Sequence, residues 1–127
     1  MTNIQTIYTE NAPAPAGHYS QAIVHNGVVY VAGQLPIDQD GNKRSDAAVE
    51  EQAELVFRNT EAILQAAGSS LGRILSVTIY VSNIENWGKI NAVYSRIMGG
   101  HKPARAVVPV PELHYGLALE VQVIAAV

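Results

Sequence analysis

Cysteine is absent from all 127 residues, which excludes disulfides, thiolate nucleophiles and every cysteine-ligated zinc or iron–sulfur centre, and permits a reducing compartment. Charge is scarce as well. Eight basic and eleven acidic residues leave a net charge of −3 and make up 15% of the chain, against roughly 25% in an ordinary soluble domain. A small domain with so few charges is expected to hide uncharged surface against another subunit. A monomer coated with serine, threonine, asparagine and glutamine is the alternative. No apolar run exceeds five residues, far short of the ~20 that cross a bilayer, so no membrane partner is expected. Met1 to Gln5 shows no basic region followed by an apolar block. No secretory signal is therefore expected, and the chain reads as cytoplasmic. Its length allows a single domain over residues 1–127.

The familiar chemical signatures are missing too. No Gly-x-Gly-x-x-Gly follows a strand, and neither a phosphate loop nor a Gly-x-Ser-x-Gly elbow occurs. The four histidines (His18, His25, His101, His114) lack i,i+4 and His-x-Glu spacing, so no metal is expected. His25, beside a turn, is expected to face solvent, whereas His18 and His114 lie in loops that can converge on one cleft. The eight Lys and Arg are scattered, Lys43-Arg44 being the only adjacent pair, and nucleic acid is not an expected partner.

What is present is clear periodicity. Asn3 to Thr9 reads as a strand and Asn11 to Gly17 as a proline-rich loop. Asn26-Gly27 between β-branched runs predicts a hairpin with a type I′ turn. Asp38 to Asn42 reads as a second turn. Ser45 or Asp46 is placed to cap a helix running from Val49 to Ala67, with Gly68 as its C′ residue. Leu75, Val77, Ile79 and Val81 predict one apolar strand face. Trp87, Ile90, Tyr94 and Ile97 mark a second helix ending at Gly99-Gly100, and strands follow over Ala104–Val110 and Leu117–Ala126. The order β-ββ-α-β-α-β-β predicts an α+β domain, a mixed sheet with two helices packed on one face. The other sheet face, mixed small and apolar, points again to a partner chain.

Two charges break this pattern. Arg105 interrupts Ala104-Arg105-Ala106-Val107-Val108, and Glu120 interrupts the last strand on the face of Gln122. A charge in an apolar strand is costly unless paired or used. Either the two form an interface ion pair, or they build a small-anion pocket with an acid/base beside it.

The chain resembles the RidA/YjgF family of reactive-intermediate (enamine/imine) deaminases. The resemblance rests on Asn11-Ala12-Pro13, Gly17-His18-Tyr19-Ser20-Gln21-Ala22, Ala32-Gly33-Gln34-Leu35-Pro36, Asn91-Ala92-Val93-Tyr94, Pro103-Ala104-Arg105 and Leu119-Glu120-Val121-Gln122, in this order and spacing. It implies a chorismate-mutase-like α+β fold assembled as a homotrimer around a central barrel, with sites in the clefts between subunits. It also implies cofactor-free hydrolysis of 2-imino or enamine acids, of the 2-iminobutanoate/2-iminopropanoate type, to 2-keto acids and ammonia. Under that resemblance Arg105 binds the substrate carboxylate and Glu120 positions and activates water. Tyr19, Gly33, Asn91, Ala32 and Val107 line the pocket. The alternatives are a trimer that senses a small carboxylate without turnover, or an endoribonuclease or translation inhibitor. Three departures stand out. Ala32 replaces a hydroxyl residue common before Gly-Gln, Val107 a common cysteine, and Gln122 the second glutamate of Glu-x-Glu. The pocket is thereby more apolar, His18 and His114-Tyr115 contribute different polar groups, and a bulkier or aromatic-derived substrate is expected.

Overall fold

In the computed structural model, which describes residues 3–127, strand β1 (Gln5–Ile7) pairs antiparallel with β2 (Ala22–His25). Met1 and Thr2, part of the N-terminal reading, lie outside those residues. The first strand is shorter than its alternation predicts because Thr9 bonds a side chain instead of a strand. Gln21 Oε1 accepts from Thr9 N at 2.7 Å, and Gln21 Nε2 donates to the carbonyls of Thr9 and Pro13. Asn26 and Gly27 take φ values of 53° and 76°, the two positive angles of a type I′ turn, and join β2 to β3 (Val28–Val31).

Helix α1 (Val49–Ala66) begins at Ala48, which offers no side-chain cap, so neither Ser45 nor Asp46 caps it. Glu50 and Glu51 in its first turn favour the positive end of the helix dipole instead. Its far end follows expectation. Gly68, at φ 81°, lets Ser69 N donate to Leu64 O and Gly68 N to Gln65 O, the paired bonds of a Schellman close.

Strand β4 (Ile74–Val81) departs from simple alternation. A register shift between Ile74 and Ser76 puts Ile74 in the core and leaves Leu75 half exposed. Helix α2 (Trp87–Met98), strand β5 (Ala104–Pro109) and strand β6 (Leu119–Ala126) complete the order expected.

The six strands form one sheet, β1-β2-β3-β6-β4-β5, antiparallel except for the parallel β4–β5 pair. Strand register sorts the side chains. Val77, Ile79, Val81, Leu119, Val121 and Val123 face the helices and pack with Phe57, Leu64, Ile90 and Tyr94. The opposite face carries Tyr30, Ile124, Ser76, Thr78, Gln122, Ala104 and Ala106, with no helix over it among the described residues. The architecture is thus an α+β sheet with two helices. His25 corrects an expectation: it is half buried, and its Nδ1 has no hydrogen-bond partner among the described residues.

Candidate functional site

Register decides where the two pattern-breaking charges go. Glu120 pairs with Tyr80, which pairs with Val108, so its side chain leaves from the helix-free face. Arg105 pairs with Val77 and shares the helix-facing side. Within one chain the two therefore lie on opposite faces of the sheet and do not pair.

Arg105 is held against α2. Its Nη1 donates to Asn91 Oδ1 at 2.9 Å, and its guanidinium carbon lies 4.9 Å and 5.0 Å from the ring centroids of Trp87 and Tyr94. Trp87, Asn91 and Tyr94 are four and three residues apart, one face of a helix, so a single side of α2 fixes the cation. Because β5 is an edge strand, Arg105 remains exposed rather than sunk in an apolar crevice. No carboxylate lies within 4 Å of it among the described residues. A hollow of about 450 Å³ beside it is lined by Asn91, Ser95, His101 and Lys102 and by no acidic residue. Asn91 and the two rings occupy a minority of the five guanidinium donors. The remaining fork is free for a carboxylate, at roughly 1.5–3 kcal/mol per charge-assisted bond against ~0.5–1 for an exposed ring contact. Burial pushes the Tyr94 phenol up, while the charge of Arg105 opposes that shift.

The second hollow, about 660 Å³, is bounded by Glu120, Ala32, Gly33, Tyr19, His114 and Tyr115 among others. Gly33 is glycine for a local reason: a Cβ there would run into the Glu120 carboxylate, whose Cδ would stand 3.1 Å away. Any side chain at 33 displaces the acid. Burial raises the Glu120 carboxyl above the usual carboxylate range, and the positive charge of His114 opposes this. Gln34 fastens the floor of the hollow to β6 through paired backbone bonds with Val121. Tyr19 folds back over its own loop, its hydroxyl accepting from Ala16 N at 3.1 Å. The buried Gln21 amide anchors that loop.

The expected site residues thus divide. Tyr19, Ala32, Gly33 and Glu120 share one hollow, Arg105 and Asn91 share the other, and Val107 lines neither but packs against the core. His114 joins the Glu120 hollow, whereas His18 does not. Sequence reasoning missed Trp87 and Tyr94 as supports of Arg105, although their spacing with Asn91 carried the signal. It also missed Lys43, whose Nζ lies 4.6 Å from the Tyr115 ring centroid. Among the described residues no group of three His, Asp or Glu side chains is placed to hold a metal ion, and no helix is long and apolar enough to cross a membrane.

Comparison with known proteins places this chain in a family and matches its fold. Residues 9–127 match the family model described as endoribonuclease L-PSP. A RutC family protein of Pyrococcus abyssi is 40% identical over 121 residues, 95% of each chain. The rat 2-iminobutanoate/2-iminopropanoate deaminase is 33% identical over 121 residues, covering 95% of this chain and 88% of its own. The crystal structure of Escherichia coli TdcF with bound serine superposes with a TM-score of 0.91 at 32% identity, over 97% of this chain and 98% of that one.

Proposed function

Because this chain belongs to the RidA/YjgF family, the family of the L-PSP endoribonuclease model, we propose that it hydrolyses reactive 2-imino or enamine acids to 2-keto acids and ammonia. The observation that carries the reading is Arg105, a cation splayed on aromatic rings, free of any acid among the described residues, and opening on a hollow without carboxylates. A substrate carboxylate docks on its open fork, which fixes orientation as well as affinity. Glu120 then removes a proton from water as the water oxygen bonds to the imine carbon. That proton passes to nitrogen; as the carbon–nitrogen bond breaks and ammonia departs, the hydroxyl oxygen gives its remaining proton back to Glu120 and forms the carbonyl of the keto acid. An iminium carbon is already electrophilic, so positioning and one base suffice.

Arg105 and Glu120 lie on opposite faces of one sheet, so the reading requires them to meet across an interface, Glu120 from one subunit and Arg105 from its neighbour. A homotrimer packing its helix-free sheet faces into a central barrel supplies such clefts, and it covers Tyr30 and the small residues of that face. Cytoplasmic placement belongs to the same proposal. The test is twofold. The wild type should release ammonia from imines formed in situ by an amino-acid oxidase, which a carboxylate sensor would bind unchanged. Arg105→Ala and Glu120→Gln, each inactive alone, should regain activity when unfolded together and refolded, about one interface in four carrying both native groups by random assortment. Absence of complementation would place both residues of each site in one subunit.

RNA cleavage, suggested by the family model's description, is the weaker reading. Arg44, Arg58 and Arg96 are all paired with carboxylates, and the net charge of −3 opposes a phosphate backbone.

The pH dependence follows from Glu120. Only its ionised form accepts a proton, and burial raises its pKa. Turnover should therefore fall on acidification at a pH above that of an exposed glutamate (about 4.3). His114→Ala, which removes the charge that opposes the shift, should move this acid limb of the kcat profile higher still. A limb that stays in place or moves down would separate His114 from Glu120.

A further inference from the structure

Tyr115 takes φ 62° and ψ 18°. Apart from Asn26 it is the only described non-glycine residue at positive φ. That conformation is strained for a bulky L-residue and persists where the surroundings fix it or function uses it. Gly116, next along the chain, also lies at positive φ and has open space where a Cβ would be. A glycine at 115 would therefore avoid the strain, yet a tyrosine stands there. Its ring is set in place from two sides: Lys43 Nζ lies 4.6 Å from the centroid, and the His114 ring is tilted 47° at 5.9 Å. Tyr115 is still 49% exposed, and Tyr19, bounding the same hollow, is 52% exposed. Leu35, Ile37 and Ala32 give the hollow an apolar wall. In the single chain it measures about 660 Å³, inside the roughly 300–1,000 Å³ range of ligand pockets, and the neighbour that brings Arg105 to Glu120 closes part of it.

We propose that Tyr115 is a specificity-determining residue and that the site takes imino or enamine acids bearing an aromatic side chain, which packs against Tyr115 beside Glu120. The inference rests on the deaminase reading for its chemistry, which is the same hydrolysis of a carbon–nitrogen double bond. Selectivity comes from ring-on-ring contact and from water displaced off two half-exposed tyrosines.

The experiment uses the intact assembly and two probe pairs. The first compares kcat/KM for imines generated in situ from phenylalanine and from alanine. The second compares calorimetric affinity for the stable products phenylpyruvate and pyruvate. The wild type should favour the aromatic member of each pair by about tenfold or more, the worth of one good ring contact. Tyr115→Gly should cut that preference by about tenfold while its thermal midpoint holds or rises, because glycine relieves the left-handed backbone. Tyr115→Phe should keep the preference. Equal affinity for the two keto acids in the wild type, or an unchanged preference in Tyr115→Gly, overturns the inference. If the wild type releases ammonia from neither imine, the deaminase reading fails, and the keto-acid ratio alone decides whether Tyr115 selects aromatic acids.

Discussion

Arg105→Ala is expected to lower kcat/KM for imine hydrolysis by about 10²–10⁴-fold, the loss of two charge-assisted hydrogen bonds at roughly 1.5–3 kcal/mol each. Arg105→Lys should lose nearly as much. An ammonium keeps the charge but not the planar fork, and it cannot sit over Trp87 and Tyr94 while donating to Asn91 with the fork geometry of the guanidinium. Stability should hardly change, since Arg105 is exposed on an edge strand and its ring contacts are each worth only ~0.5–1 kcal/mol. Steady-state ammonia release together with thermal melting checks both halves. A lysine variant with the activity of the wild type would remove Arg105 from the carboxylate role.

Glu120→Gln should reduce kcat by about 10²–10⁴-fold, the usual contribution of a positioned general base. The amide is nearly isosteric with the carboxylate, so it still fits over Gly33, and keto-acid affinity should move by less than about threefold. Loss of binding with kcat preserved would instead make Glu120 a structural anion. A variant melting far below the wild type would point the same way. The contrast between the two substitutions is the sharpest reading of the site, because one removes the grip on the substrate and the other removes the proton acceptor.

Much of this architecture is legible in the sequence where one or two residues dictate local geometry. Asn26-Gly27 specifies its turn, and Gly68 ends α1, because few other residues tolerate those backbone angles. Glu120 is correctly placed on the face of Gln122 by alternation alone. The relation between Glu120 and Arg105 is not legible in this way. It depends on the register of β5 against β4, and that is set by packing between segments distant along the chain. The bulge at Ile74/Ser76 is hidden for a similar reason, since two adjacent apolar residues give no sign of which one turns inward. The half-burial of His25 and the left-handed turn at Tyr115 are likewise products of tertiary context. The resemblance to a deaminase family suggests the chemistry proposed for the site, while the fold divides the site residues between two faces.

Strand β6 is the last of the six to be synthesised, yet it sits in the middle of the sheet between β3 and β4. A nascent chain still lacking it holds two separated strand groups, with the apolar sides of β3 and β4 open along edges that β6 would seal. The sheet therefore closes only once its final strand is in place, and a chain lacking β6 is expected to be a sticky, protease-sensitive product rather than a slightly weakened one.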